Sequence, residues 1–153
     1  MTQRSISIFS DIKNFSFKKS HIKKIYNILD ESCYKISDGY LSVVFLDKFE
    51  MIGLHKRFLD DDTLTDVITF DGDSGMDFAG EICVSPDYAS ASCLEHNTTF
   101  PEELTLYLVH GYLHLFGLND VSGSDILEMR QAEAYCMDLL KKRYAIPEFI
   151  YRA

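Results

Sequence analysis

No stretch of this 153-residue chain stays apolar for the roughly 18 to 20 residues that a membrane-crossing helix needs. The opening Met1-Thr2-Gln3-Arg4-Ser5-Ile6 also has no apolar segment ahead of a small-residue cleavage site. A cytoplasmic protein with no membrane partner is expected. Cysteine is sparse: Cys33, Cys83, Cys93 and Cys136 form no C-x-x-C pair and lack the density of a stapled secreted domain, so free, mostly buried thiols are expected. No period of 20 to 50 residues repeats and no Pro/Gly/Ser tract reads as a linker, which leaves one domain over residues 1–153.

Basic side chains are missing from the middle of the chain. Residues 58–129 hold no Lys or Arg against fifteen Asp/Glu, whereas 1–57 carry ten against six and 130–153 carry five against three. The net charge of −9 argues against nonspecific nucleic-acid binding. The distribution says more: the middle repels phosphate and suits a cation, so a polyanion has to be held by the flanking segments. With 46% hydrophobic and 25% charged residues, the chain is neither fibrous nor disordered and should fold alone.

Short strands and helices alternate along it. Ile6-Ser7-Ile8-Phe9 has the period of a half-buried strand, and Ser20 is placed to cap a helix over 21–33 whose stripe is Ile22, Ile25, Tyr26 and Leu29. Residues 40–46 are β-rich, and a short helix with Ile52, Leu54 and Phe58 begins after Asp47. Val67–Phe70 and Ile82–Val84 read as strands that pair antiparallel across a turn-rich segment. Pro86 opens a helix to about 95, Pro101 a second over 102–116, and a last helix runs from Ser124 or Asp125 to about Tyr144. Glu133 falls at the edge of that last helix's apolar face and needs a partner or water.

The helix over 102–116 is apolar nearly all round, so it should be buried, yet it holds His110 and His114. Four residues apart, they lie about 40° from each other on the helix surface and can face one cation. Gly117 suits a left-handed helix end that turns the chain back and brings Asp120 beneath both rings. Two imidazoles and a carboxylate fit one Zn²⁺ with a fourth position left for water, as in a catalytic site. In the zinc-protease pattern H-E-x-x-H a general-base glutamate stands where this chain has Gly111, which counts against peptide hydrolysis. Phosphodiester hydrolysis asks instead for a metal and a cationic side chain near the non-bridging oxygens, and a glycine beside the metal is expected to leave room for a bulky substrate.

His110-Gly111-Tyr112-Leu113-His114-Leu115-Phe116-Gly117-Leu118-Asn119-Asp120, with Thr65–Phe70 and Gly80–Val84, resembles the bacterial YbeY family of zinc-dependent endoribonucleases over roughly residues 35–140. The family pattern is approximately H-G-x-L-H-L-x-G-Y-D-H, so Leu118 stands for its tyrosine, Asn119 for its aspartate and Asp120 for its third histidine, at the same offset. The family's upstream arginine position is filled by Leu59. Arg57, two residues earlier, is the candidate replacement, although two helical positions turn a side chain by about 200°.

The resemblance implies an α+β fold: a small mixed sheet, helices packed on it, and the metal-binding helix central in the core. It implies one Zn²⁺ on His110, His114 and Asp120, with Arg57 as a catalytic cation and Lys56 and His55 at the substrate. Glu81, where the family has an aspartate, is a candidate supporting carboxylate; Thr65 and Asp66 shape the start of their strand. It also implies cleavage of single-stranded rRNA at the ribosome or small subunit, in 3′-end maturation and quality control. Lys18, Lys19, Lys23, Lys24, Lys56 and Arg57, with Lys141, Lys142 and Arg143, are then expected to hold phosphates beside the acidic cleft. Two alternatives stay open: a ribosome assembly factor with a structural metal, and a small metalloprotease. The oligomeric state is not legible.

Overall fold

The alternating Ile6 and Ile8 side chains are buried and their neighbours Ser7 and Phe9 exposed, which makes β1 (Ile6–Ser10) a one-faced strand. A computed structural model describes residues 4–152. After β2 (Phe15–Ser16), α1 (Lys19–Asp30) buries Ile22, Ile25, Tyr26 and Leu29. Its N-cap is Lys18, without a side-chain hydrogen bond, so Ser20 lies inside the first turn and the helix ends three residues earlier than its periodicity suggests. β3 (Tyr40–Phe45) leads to Asp47, whose carboxylate and Glu50 form a capping box that starts α2 (Lys48–Leu59).

β4 (Val67–Asp73) and β5 (Phe78–Val84) pair antiparallel, as expected, and run further toward the turn than their apolar cores alone indicate. Pro86 then opens α3 (Pro86–Glu95). Thr99 caps α4 (Phe100–Phe116), with Pro101 in its first turn, and Ser122 and Asp125 form the capping box of α5 (Gly123–Lys142). β6 (Ile150–Tyr151) closes an antiparallel pair with β2.

The main sheet has the order β1-β3-β5-β4, with β1, β3 and β5 parallel and β4 antiparallel at the edge. This is the expected α+β fold with a small mixed sheet. Helices cover both faces. On one, α1 and α4 share the main core with Ile8, Leu41, Val43, Ile82 and Val84. On the other, Met51 of α2 packs with Ile68 and Cys83, with Leu54 and Phe70 against them. Burial pushes the Cys83 thiol up to about 12, with the Glu81 charge adding to it, so Cys83 is an inert core residue.

α4 sits between the sheet, α3 and α5. Leu104, Leu108 and Leu113 are fully buried on it, each stabilising by about 1.5–3 kcal/mol. Tyr26 donates its hydroxyl to the Leu108 carbonyl (3.1 Å), and Tyr112 donates to Asp30 (2.8 Å), so α1 and α4 run side by side in the same direction. Among the described residues no helix is long and apolar enough to cross a membrane.

Candidate metal centre

The end of α4 builds the site. Gly117 adopts φ +119°, a conformation that L side chains rarely take, and the N–H groups of Gly117 and Leu118 both close back on the Leu113 carbonyl. The turn presents the Leu118 carbonyl to His114, whose Nδ1–H donates to it at 3.0 Å. Two residues later it delivers Asp120. Asp120 Oδ2 lies 3.5 Å from His110 Nε2 and 3.7 Å from His114 Nε2, and the rings stand 4.5 Å apart and nearly perpendicular.

His110 is held from its other side. Its Nδ1–H donates to Glu133 Oε2 of α5 at 2.5 Å, and the second Glu133 oxygen accepts from Arg130 Nη1 at 2.8 Å. In the neutral form both imidazoles thus carry their proton on Nδ1 and turn the Nε2 lone pair toward Asp120. Burial disfavours a charged His110, but the hydrogen bond and charge of Glu133, with the charges of Asp66 and Asp120, outweigh it and hold its pKa above the ordinary value. The pocket therefore favours a positive charge. For Glu133 burial acts upward, and its bonds to His110 and Arg130 prevail and lower its pKa.

The three free donor atoms fit a cation. Two donors each about 2.0–2.1 Å from a tetrahedral ion stand roughly 3.3 Å apart. The observed 3.5 and 3.7 Å are near that and too long for good hydrogen bonds. All three donors lie within 4.8 Å of one another. A histidine whose second nitrogen binds a carboxylate, as His110 binds Glu133, is the usual setting of a metal ligand. Glu133 was visible in sequence only as a carboxylate at the edge of an apolar face; its partner lies on another helix, and Arg130 carried no signal.

The remaining sequence candidates lie elsewhere. A Cβ on Gly111 would meet Ile82 Cγ2 at 2.6 Å and the Thr69 and Val67 methyls at 3.3 Å. Gly111 thus lets α4 approach β4 and β5 closely; it opens no room for substrate, contrary to expectation. Because Ile82 faces α4, its neighbour Glu81 faces the other side, where it accepts from Ser42 (3.0 Å), and it does not support the histidines.

α2 packs on that same far side, with Phe58 edge-on to Phe70. The sheet therefore separates Arg57, Lys56 and His55 from the histidine-bearing helix. Arg57 lies over the Phe58 ring, Lys56 pairs with Asp60, and His55 Nδ1–H donates to the Thr63 carbonyl at 2.8 Å, latching the loop after α2. Lys141 pairs with Glu102 and Lys142 with Asp138. Glu102 precedes His110 by eight residues, about 12 Å along the helix. Lys18 is the N-cap of α1, and Lys19, Lys23 and Lys24 lie on its first half, toward that same distant end. The basic cluster does not sit beside the cleft as expected. Asp66 does shape its strand, accepting from Val67 N–H (2.8 Å) and the Thr65 hydroxyl (3.2 Å).

An α+β protein whose buried helix and following turn aim two imidazole nitrogens and one carboxylate oxygen at a single point has the framework of a mononuclear metalloprotein. Comparison with known proteins makes the class specific. The family model described as Endoribonuclease YbeY matches residues 7–141. A protein named Endoribonuclease YbeY from Protochlamydia amoebophila is 37% identical over 125 residues, covering 79% of this chain and 80% of its own. Another of that name from Thermodesulfovibrio yellowstonii is 31% identical over 149 residues, covering 91% and 93%. The solution structure of TM1509 from Thermotoga maritima superposes with a TM-score of 0.63 at 26% identity over 91% of each chain. The chain belongs to the YbeY family.

Proposed function

We propose that this protein is a zinc-dependent endoribonuclease that cleaves single-stranded RNA during rRNA maturation in the cytoplasm, in contact with the ribosome or its small subunit. The observation that carries the reading is the convergence of His110 Nε2, His114 Nε2 and Asp120 Oδ2. Relatives bearing the name Endoribonuclease YbeY support the substrate class. Two nitrogens and one oxygen suit Zn²⁺ among common divalent ions.

His110, His114 and Asp120 would hold the ion. When bound, it supplies Lewis acidity toward a phosphoryl oxygen and lowers the pKa of a water beside it. The chain's own residues prepare that position. Glu133 and the Leu118 carbonyl keep the protons of His110 and His114 on Nδ1, so neither Nε2 is blocked. Burial of α4 fixes both side chains before substrate arrives.

The protease alternative lacks support because Gly111 has no side chain to accept a proton and faces Ile82. The test pairs zinc content with cleavage of a labelled single-stranded RNA for wild type, His114→Ala and Asp120→Ala. Wild type should bind one zinc and cut RNA; each variant should lose most of both while remaining folded by circular dichroism. Cleavage undiminished in His114→Ala defeats the proposal, and casein hydrolysis by the pure protein revives the protease.

A further inference from the structure

A nuclease has to hold a phosphate beside its metal, and neither basic group picked from the sequence is there: Arg57 lies across the sheet and the lysines lie at the other end of α4. Residues 58–129 supply no cation at all. Arg130 is the first basic residue after that gap. It stands on α5 one turn before Glu133, and its Nη1 donates to Glu133 Oε1 at 2.8 Å. Its side chain is 66% exposed while that of Glu133 is 6% exposed, so the guanidinium reaches from a buried carboxylate to open solvent. The charges of Asp120 and Asp66 act on it as well. Among the described residues, it is the one Lys or Arg ion-paired with a carboxylate of this cluster.

A guanidinium carries five N–H donors in a planar fork. Among the described residues Arg130's one side-chain hydrogen bond is that to Glu133, which holds Nη1 and leaves the other N–H groups of a largely exposed side chain without a protein partner. A group already oriented this way loses less freedom when it takes an anion. We propose that Arg130 is a substrate-contacting residue: with Nη1 held by Glu133, its remaining N–H groups bind a non-bridging oxygen of the RNA phosphate next to the metal position. The inference rests on the nuclease reading above and names the cation which that reading lacked.

The test measures fluorescence anisotropy of a labelled single-stranded oligoribonucleotide, intact by gel, with the full chain in zinc-free and zinc-loaded form across a range of salt. Arg130→Ala should weaken binding about tenfold in both forms and make the slope of log affinity against log salt shallower by about 0.7. Its zinc affinity, from competition with a chelator, should stay within twofold of wild type. Arg130→Lys should restore the slope but only part of the affinity, since it keeps the charge and loses the fork. Glu133→Gln provides the contrast, with zinc affinity down about 10- to 100-fold.

Unchanged RNA affinity and slope in Arg130→Ala would overturn the proposal. So would a loss of zinc affinity without a change in RNA binding, which would make Arg130 a positioning residue for Glu133. If wild type cleaves RNA and Arg130→Ala binds it equally well, only this assignment fails; if wild type neither binds nor cleaves single-stranded RNA, the nuclease reading fails with it.

Discussion

Gly111 shows how one residue can carry a different meaning in space than in sequence. In the chain it reads as a missing general base and as free space beside a metal; in the fold it is the contact point between α4 and the sheet. The distinction has an energetic consequence. Gly111→Ala inserts a methyl group 2.6 Å from Ile82 Cγ2, well inside van der Waals contact, so the helix has to shift or Ile82 has to leave its rotamer. Overpacking of this kind destabilises by about 1–3 kcal/mol, and the expected result is a lower urea midpoint with an unchanged slope. An unaltered midpoint would mean that α4 does not lie this close to β5.

At the scale of the element, the turn that ends α4 joins stability to ligand geometry. Gly117 has open space where a Cβ would be, so the penalty of Gly117→Ala comes wholly from forcing φ +119° on an L residue, about 1–2 kcal/mol. The turn also carries the Leu118 carbonyl and Asp120, so zinc affinity by chelator competition should fall together with stability. Gly123→Ala, equally open and with no positive φ, should change neither; equal loss in both variants would refute the argument. This turn was legible because its signals are local: histidines at i and i+4, a glycine three residues on, a carboxylate three beyond that. Non-local features were not. The face of the sheet that α2 covers depends on which of Ile68 or Thr69 points toward it, and that is settled by the packing of α4 and β5, which come later in the chain. β2 and β6 are two residues each and pair across most of the sequence, too short for any period to show.

For the whole molecule, charge and core divide the work. The acidic, lysine-free middle of the chain supplies Asp66 and Asp120 around His110, Glu133 joins them from the first turns after it, and the net field there favours a cation before any ion binds. Holding that cation should stabilise the folded chain, because the unfolded chain does not hold the two donors of α4 and the one of its following turn on a single point. At free zinc 100 times Kd the linkage contributes about 2.7 kcal/mol. For a domain of this size each kcal/mol raises Tm by about 2–4 °C, so zinc should raise Tm by roughly 5–11 °C in a calorimetric scan. Asp120→Ala, which removes an exposed loop carboxylate and little packing, should have a zinc-free Tm near wild type and a much smaller zinc-induced rise. Glu133→Gln should fall between them at the same zinc concentration, since it weakens His110 as a ligand without removing a donor atom. A rise of equal size in all three proteins would place the zinc somewhere other than on these residues.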